Sequence, residues 1–237
     1  MKYLLLIWGL LLAGCVSYQQ IPEGKNKKIA IVGAISEDIS AVYWGVTIFE
    51  NKVISEDMNW GVSSRVAKTV KSELELLGYT NVTDLSHIEK YSTLLPELMI
   101  NKGLGGEISD EGAIIAQALK NEGYDLLIDI SGGERAFVTA EKSINGKGIF
   151  LKVNQPYVYS GLGASVYVLS EEPGMAGGSF GNCPKEYHQY IHNFTKVARL
   201  PSDIEFLSVE AIGHYKKEIL ENFDNGTKAT LCYYFGS

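Results

Sequence analysis

A serine within a glycine-rich segment could act as the nucleophile of a hydrolase. The run from Gly177 to Gly181 (GGSFG) matches G-x-S-x-G around Ser179, a pattern in which glycines permit the tight turn that exposes a catalytic serine. Asp203 and His214 follow in the chain order that such hydrolases use. Neither flank predicts the strand and the helix that this turn must join. We therefore favour a glycine-rich surface loop, with a serine hydrolase as the alternative.

Two histidines four residues apart could hold a metal ion. His188 and His192 would share one face of a helix, and Glu186 and Cys183 are close in sequence. The glutamate of the H-E-x-x-H metalloprotease motif is replaced by Gln189. The pair therefore predicts an exposed helix face, with metal binding as the alternative, and we expect no cofactor.

An acidic residue at a strand end is the third candidate. Asp129 lies near the C-terminal end of a strand predicted over residues 125–131, and a glycine-rich stretch with Glu134 follows it. In open α/β sheets this is the edge where ligands bind. Asp129 and Glu134 could therefore hold a polar ligand or a cation. A carboxylate that caps the turn is the simpler interpretation.

The N-terminal residues carry the most specific pattern of the chain. An apolar run after Lys2 is typical of a secretory signal and is too short to span a bilayer. It ends in Leu12-Ala13-Gly14-Cys15, which resembles a bacterial lipoprotein box. The resemblance implies cleavage before Cys15 and acylation of its thiol and of the new amino terminus. Val16, which is not Asp, resembles the outer-membrane sorting pattern of Gram-negative lipoproteins.

The same pattern predicts how the chain is divided and where it is located. We expect a signal peptide over residues 1–14, a lipidated flexible tether over 15–27 and one α/β domain over 28–237, anchored in the cell envelope and facing the periplasm. Cys183 and Cys232 would then lie in an oxidising space, where they could form a disulfide or remain two buried thiols. A net charge of −7 argues against binding to nucleic acid.

The elements that must position these residues predict an α/β fold. A buried strand over residues 28–35 and a helix over 60–77, ended by Gly78, begin an alternation of strands and helices that continues to residue 131. This alternation predicts a mixed sheet with parallel pairs flanked by helices. Short strands predict an antiparallel section around residues 136–170, with Asn145-Gly146 as a hairpin turn.

Further segments give local predictions. We expect a strand or hairpin over 41–54, strands over 81–85 and 229–235, helices over 87–99, 109–122, 185–199 and 202–223, glycine-rich loops over 101–107 and 171–184, and a helix break at Asn225-Gly226. Tyr157, Tyr159 and Tyr167 are expected as half-buried sheet aromatics, with a recognition surface as the alternative.

Three segments together resemble the periplasmic domains of bacterial envelope lipoproteins. They are the strand over 28–32, the helix that ends at 77–79 and the strand that follows Gly123. Over residues 28–131 the arrangement is similar to that of curli-secretion-pore and penicillin-binding-protein-activator lipoproteins, although no functional residue carries over. We expect a non-catalytic lipoprotein that binds a protein partner or assembles in the envelope. A serine hydrolase and a small-ligand or metal-binding lipoprotein are the alternatives.

Overall fold

The computed structural model describes most of the chain after the predicted signal peptide. The described residues are 18–45, 51–92, 99–102, 105–130, 135–139, 142–152, 154–160, 164–179, 181–185, 187 and 194–236. The strands are β1 Ile29–Val32, β2 Asp38–Trp44, β3 Lys52–Asp57, β4 Val82–Asp84, β5 Met99–Lys102, β6 Gly105–Ile108, β7 Leu126–Asp129, β8 Arg135–Thr139, β9 Lys142–Asn145, β10 Lys147–Lys152, β11 Gln155–Ser160, β12 Ser165–Val168, β13 Gly174–Met175 and β14 Phe194–Lys196. The helices are α1 Val62–Leu76, α2 Glu89–Ser92, α3 Asp110–Asn121, α4 Val209–His214 and α5 Lys216–Phe235.

Two larger sheets form the framework of the described residues. The first sheet has the strand order β13-β12-β7-β1-β4, and β1 is parallel to both β4 and β7. The second sheet has the order β14-β11-β10-β2-β3, in which β2 and β10 are parallel and the other pairs are antiparallel. Helices and mixed sheets with parallel pairs confirm the predicted α/β class. The section around 136–170 pairs mostly antiparallel, with the parallel β2–β10 pair as its exception.

The core follows from the alternation of apolar residues along the strands. One face of the first sheet packs on α3, where Leu119 and Leu127 are buried. Its other face, through Ile31 and Ile128, belongs to a larger cluster with α1, α5 and the inner face of the second sheet. Burial of these apolar side chains is the main driving force of the fold. The helices α1 and α5 therefore lie in the middle of the structure.

Two helices end in the same way, as their glycines predict. Gly78 and Gly123 have φ values of +91° and +83°, which a residue with a Cβ rarely adopts. After α1, the N–H of Tyr79 donates to Leu74 O at 2.9 Å, and the N–H of Gly78 donates to Glu75 O at 3.0 Å. This pair of bonds is the Schellman motif, and α3 ends with the corresponding pair. Each tyrosine that follows the glycine then leads into a strand of the first sheet.

The predicted end of the last helix is wrong. Asn225-Gly226 does not break α5, which continues to Phe235 and replaces the strand predicted over 229–235. Packing against α1 outweighs the low helix propensity of Asn225-Gly226. Asp224 and Lys228 both form ion pairs with α1, and Gly226, which lies between them in sequence, is buried. In the part of the chain that the structure describes, no helix is both long and apolar enough to cross a bilayer.

Other local predictions also fail where strand pairing replaces the predicted element. Of the helix predicted over 87–99, Glu89–Ser92 is helical, but Met99 belongs to the β5–β6 hairpin, which replaces the loop predicted over 101–107. The strand β14 lies inside the helix predicted over 185–199, and the helix predicted from residue 202 begins at Val209. Asn145-Gly146 joins β9 and β10, which pair with different strands, so it is not a hairpin turn.

Candidate functional site

The N-terminal segment from Tyr18 to Lys28 is docked on the domain. The N–H of Gln19 donates to Met175 O, and the N–H of Gly177 donates to Gln19 O, each at 2.9 Å. The side-chain amide of Gln19 also donates to Glu172 O at 2.6 Å. These bonds add a short parallel bridge beside β13. Within the segment predicted as a flexible tether, Gln19 is therefore bonded to the domain.

Glycines of the neighbouring loop make this docking sterically feasible. A Cβ at Gly174 would lie 2.8 Å from Gln19 Nε2, and one at Gly178 would lie 2.6 Å from ring carbon Cδ1 of Tyr233. Separations below about 3 Å force a neighbour to move. The glycines around Ser179 thus permit close packing against the N-terminal segment and α5. In the described residues, no strand runs directly into Ser179, as a nucleophile elbow requires.

The residues of the proposed triad lie far apart. The N–H of Ser179 donates to Tyr233 O at 2.7 Å, which places Ser179 beside the last turn of α5. His214 ends α4, immediately before the first turn of α5. At 1.5 Å per residue, the rise from Tyr215 to Tyr233 is about 27 Å. The exposed Asp203 lies in a turn before α4. The structure does not bring the three together, so the serine-hydrolase alternative has no assembled triad.

A disulfide holds the same loop to the C-terminal helix. Cys183 and Cys232 are bonded with a Cα–Cα distance of 5.7 Å, across a sequence separation of 49 residues. Cys183 is buried, while Cys232 lies in the last turn of α5. The pairing that the sequence left open is therefore formed. It ties the loop, the N-terminal segment and the end of α5 into one unit.

A small cavity lies beneath the docked segment. It has a volume of about 220 Å³ and is lined by Ile21, Pro22, Glu23, Gly24, Lys25, Tyr79, Tyr234 and Phe235. The ammonium of Lys25 lies 4.2 Å from the centroid of the Tyr79 ring, a cation–π contact, and Tyr79 packs edge-on against Phe235 at 5.3 Å. Burial, reinforced by nearby Tyr233 and Tyr18, raises the pKa of Tyr234 to about 12. Tyr234 therefore stays a neutral hydrogen-bonding phenol at physiological pH.

At the end of the first sheet where β1 and β7 terminate, a carboxylate lies at the start of a helix. One oxygen of Glu37 accepts from the main-chain N–H groups of Trp60 and Gly61 at 2.8 and 2.9 Å, and the other accepts from that of Val62 at 2.7 Å. A helix N-terminus attracts anions because its N–H groups are unpaired and its dipole is positive. Glu37 fills this place at the start of α1. An external phosphate would have to displace it.

Asp129 lies at the same edge and is 1% exposed. It ends β7, in register with Val32 of β1 and Ser165 of β12, and it interacts with other groups of the protein. Its predicted companion Glu134 lies outside the described residues, as do His188 and His192. The described part of the chain contains no group of three or more His, Cys, Asp or Glu residues that could hold a metal ion.

The outer face of the second sheet carries an aromatic cluster. Phe150 is central, with ring-centroid distances of 4.9 Å to Tyr157, 5.2 Å to Phe194 and 6.4 Å to Trp44. These three outer rings are partly exposed, and Val53 on the neighbouring strand β3 is 61% exposed. The strand register places Val53 opposite Val42 and therefore on the same side as Trp44. Trp44, Val53, Tyr157 and Phe194 are termed the aromatic face below.

Two of the three tyrosines considered from the sequence are core residues. Tyr159 and Tyr167 are 0% and 3% exposed, and burial raises the pKa of Tyr159. Tyr167 packs in the cluster with α3, on another sheet from Tyr159. All three tyrosines lie in strands, as predicted, but Tyr159 and Tyr167 are fully buried rather than half-buried. Tyr157 is the partly exposed one of the three and belongs to the aromatic face.

Sequence reasoning missed three of these features. The docking of Gln19 joins segments more than 150 residues apart, and the Glu37 cap acts on a helix 25 residues away, so neither leaves a local pattern. The aromatic face did leave a signal in the sequence, because Val42 and Trp44 are two residues apart and therefore share one face of a strand. No protein-family model matches the chain, and no curated protein or solved structure does so either. The functional argument therefore depends on the residues themselves.

Proposed function

We propose that the protein is a non-catalytic envelope lipoprotein. Acyl chains on Cys15 hold it to the outer membrane, and its α/β body faces the periplasm and binds a protein partner or further copies of itself. The observation that carries the proposal is Leu12-Ala13-Gly14-Cys15 at the end of an apolar leader. Two or more acyl chains anchor a protein stably, whereas one chain gives marginal binding.

The disulfide supports an exported location. Disulfides persist in oxidising compartments such as the periplasm and are rare in the cytosol. The Cys183–Cys232 bond joins the loop beneath the N-terminal segment to the last turn of α5. In an exported chain, the oxidising compartment would allow this bond to form and persist. A structural disulfide and a lipoprotein leader therefore point to the same compartment.

The aromatic face supports a role in binding. Trp, Tyr and Phe are enriched at the centres of protein interfaces. Here partly exposed Trp44, Tyr157 and Phe194 lie beside the exposed Val53. Among the described strands, β3 pairs only with β2, so its outer edge can accept a further strand. The surface thus offers both apolar contacts and main-chain hydrogen bonds to a protein partner.

Cell fractionation tests the anchor. Full-length chain, expressed with its leader, should stay in the membrane pellet after high-salt and carbonate washes and be released by detergent. Cys15→Ser should leave the washed pellet or accumulate as an uncleaved precursor, whereas the control Cys232→Ser should remain anchored. Release of the parent protein by salt, or retention of processed Cys15→Ser, would contradict the proposal.

In-cell photocrosslinking tests the binding role. A photoreactive benzoylphenylalanine at Val53 should yield a discrete crosslinked species, which mass spectrometry would identify as a second copy or another envelope protein. The same group at Lys217, whose side chain is 81% exposed on α5, is the matched control and should yield none. Absence of a product at Val53, or equal products at both positions, would count against the binding role.

A further inference from the structure

We infer that one end of the body rests directly on the lipid surface. This basal end consists of the docked N-terminal segment, the last turn of α1 and the last turn of α5, and its exposed or partly exposed side chains are Tyr18, Lys25, Leu76, Leu77, Tyr233 and Tyr234. The inference rests on the proposed function, because it requires acyl chains on Cys15. It adds an orientation, and it names the bilayer headgroup region as the surface that the basal end contacts.

Chain length limits the distance between the anchor and the body. A chain spans at most about 3.6 Å per residue, so three residues from Cys15 to Tyr18 reach about 11 Å. The headgroup region on each side of a bilayer is about 5–8 Å deep. A free tether over residues 17–28 would instead allow about 40 Å. Because Gln19 is already bonded to the domain, an acylated Cys15 holds the basal end at the headgroups.

The side chains at this end suit a lipid interface. Leu76 is 78% exposed, Tyr18 is 59% exposed and Leu77 is 38% exposed. Tyrosine rings are enriched at the level of the headgroups, and lysine can cover apolar surface while its ammonium remains in water. Tyr18 and Lys25 provide both kinds of group. Exposure of such an apolar patch to water is unfavourable, and its transfer from water to lipid is favourable.

These side chains are connected through shared contacts at one end of the body. A Cβ at Gly78, which follows Leu77, would lie 3.8 Å from Cγ of Lys25. Lys25 contacts Tyr79, and Tyr79 packs on Phe235 in the last turn of α5. The adjacent glycines complete the connection to the N-terminal segment, because a Cβ at Gly177 would lie 3.1 Å from Cβ of Tyr18 and one at Gly178 would lie 2.6 Å from Cδ1 of Tyr233. The leucines and Tyr18 can therefore meet the same bilayer surface.

This orientation turns the opposite edge of the first sheet away from the membrane. The strands β1 and β7 begin at the basal end, where the N–H of Lys28 donates to a carboxylate oxygen of Asp125 at 2.8 Å. The helix α5 starts about 30 Å above Phe235. Glu37 at the start of α1 and the buried Asp129 at the end of β7 consequently lie at the end of the body that points away from the membrane.

Lipid crosslinking tests the orientation. Acylated full-length protein is reconstituted in vesicles of phosphatidylethanolamine and phosphatidylglycerol, with photoreactive benzoylphenylalanine at Leu76 or at the similarly exposed Lys217. Position 76 should form about tenfold more lipid adduct than position 217, since the headgroup region extends only about 5–8 Å from the hydrocarbon. Equal yields, or a higher yield at position 217, would overturn the inference.

Two further readouts separate the possible failures. Intact mass of the same samples shows whether Cys15 carries acyl chains: an unmodified cysteine refutes the proposed function, whereas an acylated protein with equal adducts refutes only the orientation. Amide hydrogen exchange on the parent protein needs no substitution. Transfer from detergent to vesicles should slow exchange more in residues 18–25 and 74–80 than in residues 209–218, and the reverse order would overturn the inference.

Discussion

The two edges of the first sheet differ in what occupies them. At the edge where the parallel strands end, which in open α/β sheets is the usual ligand site, Glu37 already bonds to three main-chain N–H groups at the start of α1. At the end where they begin, the N-terminal segment leads into β1 beside the last turn of α5, to which a glycine-rich loop is tied by a disulfide. The first edge is thus satisfied internally, whereas the second is built around the chain's own N-terminal segment.

This difference illustrates why a fold class alone does not identify a functional site. The strand order alone would direct attention to the carboxyl edge, since that is where related architectures hold phosphates and cofactors. Here the protein's own carboxylate fills that anion site. The proposed anchor and the exposed apolar side chains lie at the other end. Perturbing each edge separately therefore tests the account.

Removing the disulfide should have the largest effect. In the double variant Cys183→Ala and Cys232→Ala, we expect the free energy of unfolding to fall by about 2–4 kcal/mol, because the closed loop restricts the unfolded chain. Urea denaturation followed by circular dichroism measures the change. The parent protein under reducing conditions is the control and should match the variant. Equal midpoints for the variant and the oxidised parent would show that the bond contributes nothing at the basal end.

Removing the carboxylate at the opposite edge should have the next largest effect. We expect Glu37→Ala to lower the free energy of unfolding by about 2 kcal/mol, because three main-chain N–H groups lose a charged acceptor. The emptied helix start should then bind a small anion, so formate or phosphate should raise the melting temperature of this variant but not of the parent protein.

The exposed Glu56 on β3 provides the matched control for this prediction. Glu56→Ala should change stability by less than about 0.5 kcal/mol and show no specific response to formate. If Glu37→Ala were as stable as the parent protein, or if formate stabilised all three proteins equally, the carboxyl edge would not be the occupied site that we describe.

Alkaline pH should weaken the basal end through Tyr234. Its pKa is about 12 in the folded chain and about 10 in the unfolded chain, so the folded state disfavours the phenolate. The associated stability is fully present below about pH 10 and is lost as pH rises towards 12, which amounts to roughly 1.4 kcal/mol at pH 11. Between about pH 9 and 11, Tyr234→Phe should therefore lose less stability than the parent protein. Parallel profiles would contradict the burial of this phenol.

The smallest effect is expected at Ser179. Ser179→Ala should alter stability by less than about 0.5 kcal/mol, because the side chain is exposed and caps only its own turn. The neighbouring Gly178→Ala should cost about 1–3 kcal/mol, since its Cβ would collide with Tyr233. Covalent labelling of Ser179 by a fluorophosphonate probe, or a large loss in Ser179→Ala, would restore the hydrolase alternative.

Much of the fold could be predicted from local pattern, but the site could not. The stripe of α1 and the glycines that end α1 and α3 act within a few residues, so sequence reasoning locates them. The continuation of α5 through Asn225-Gly226 depends on the ion pair of Asp224 with Arg65 across 159 residues. Docking of Gln19 beside Ala176 likewise joins residues more than 150 positions apart in the sequence. Contacts of this range leave no periodic signal in the sequence.

The mass of the mature N-terminus tests the central claim most directly. Protein purified from membranes without reduction should begin at Cys15 and carry a diacylglycerol on its thiol and an acyl chain on its amino group. The Cys183–Cys232 bond should be intact in the same sample. A mature chain that retains Met1, or that begins at Cys15 with an unmodified thiol, would contradict the lipid anchor and the orientation that depends on it.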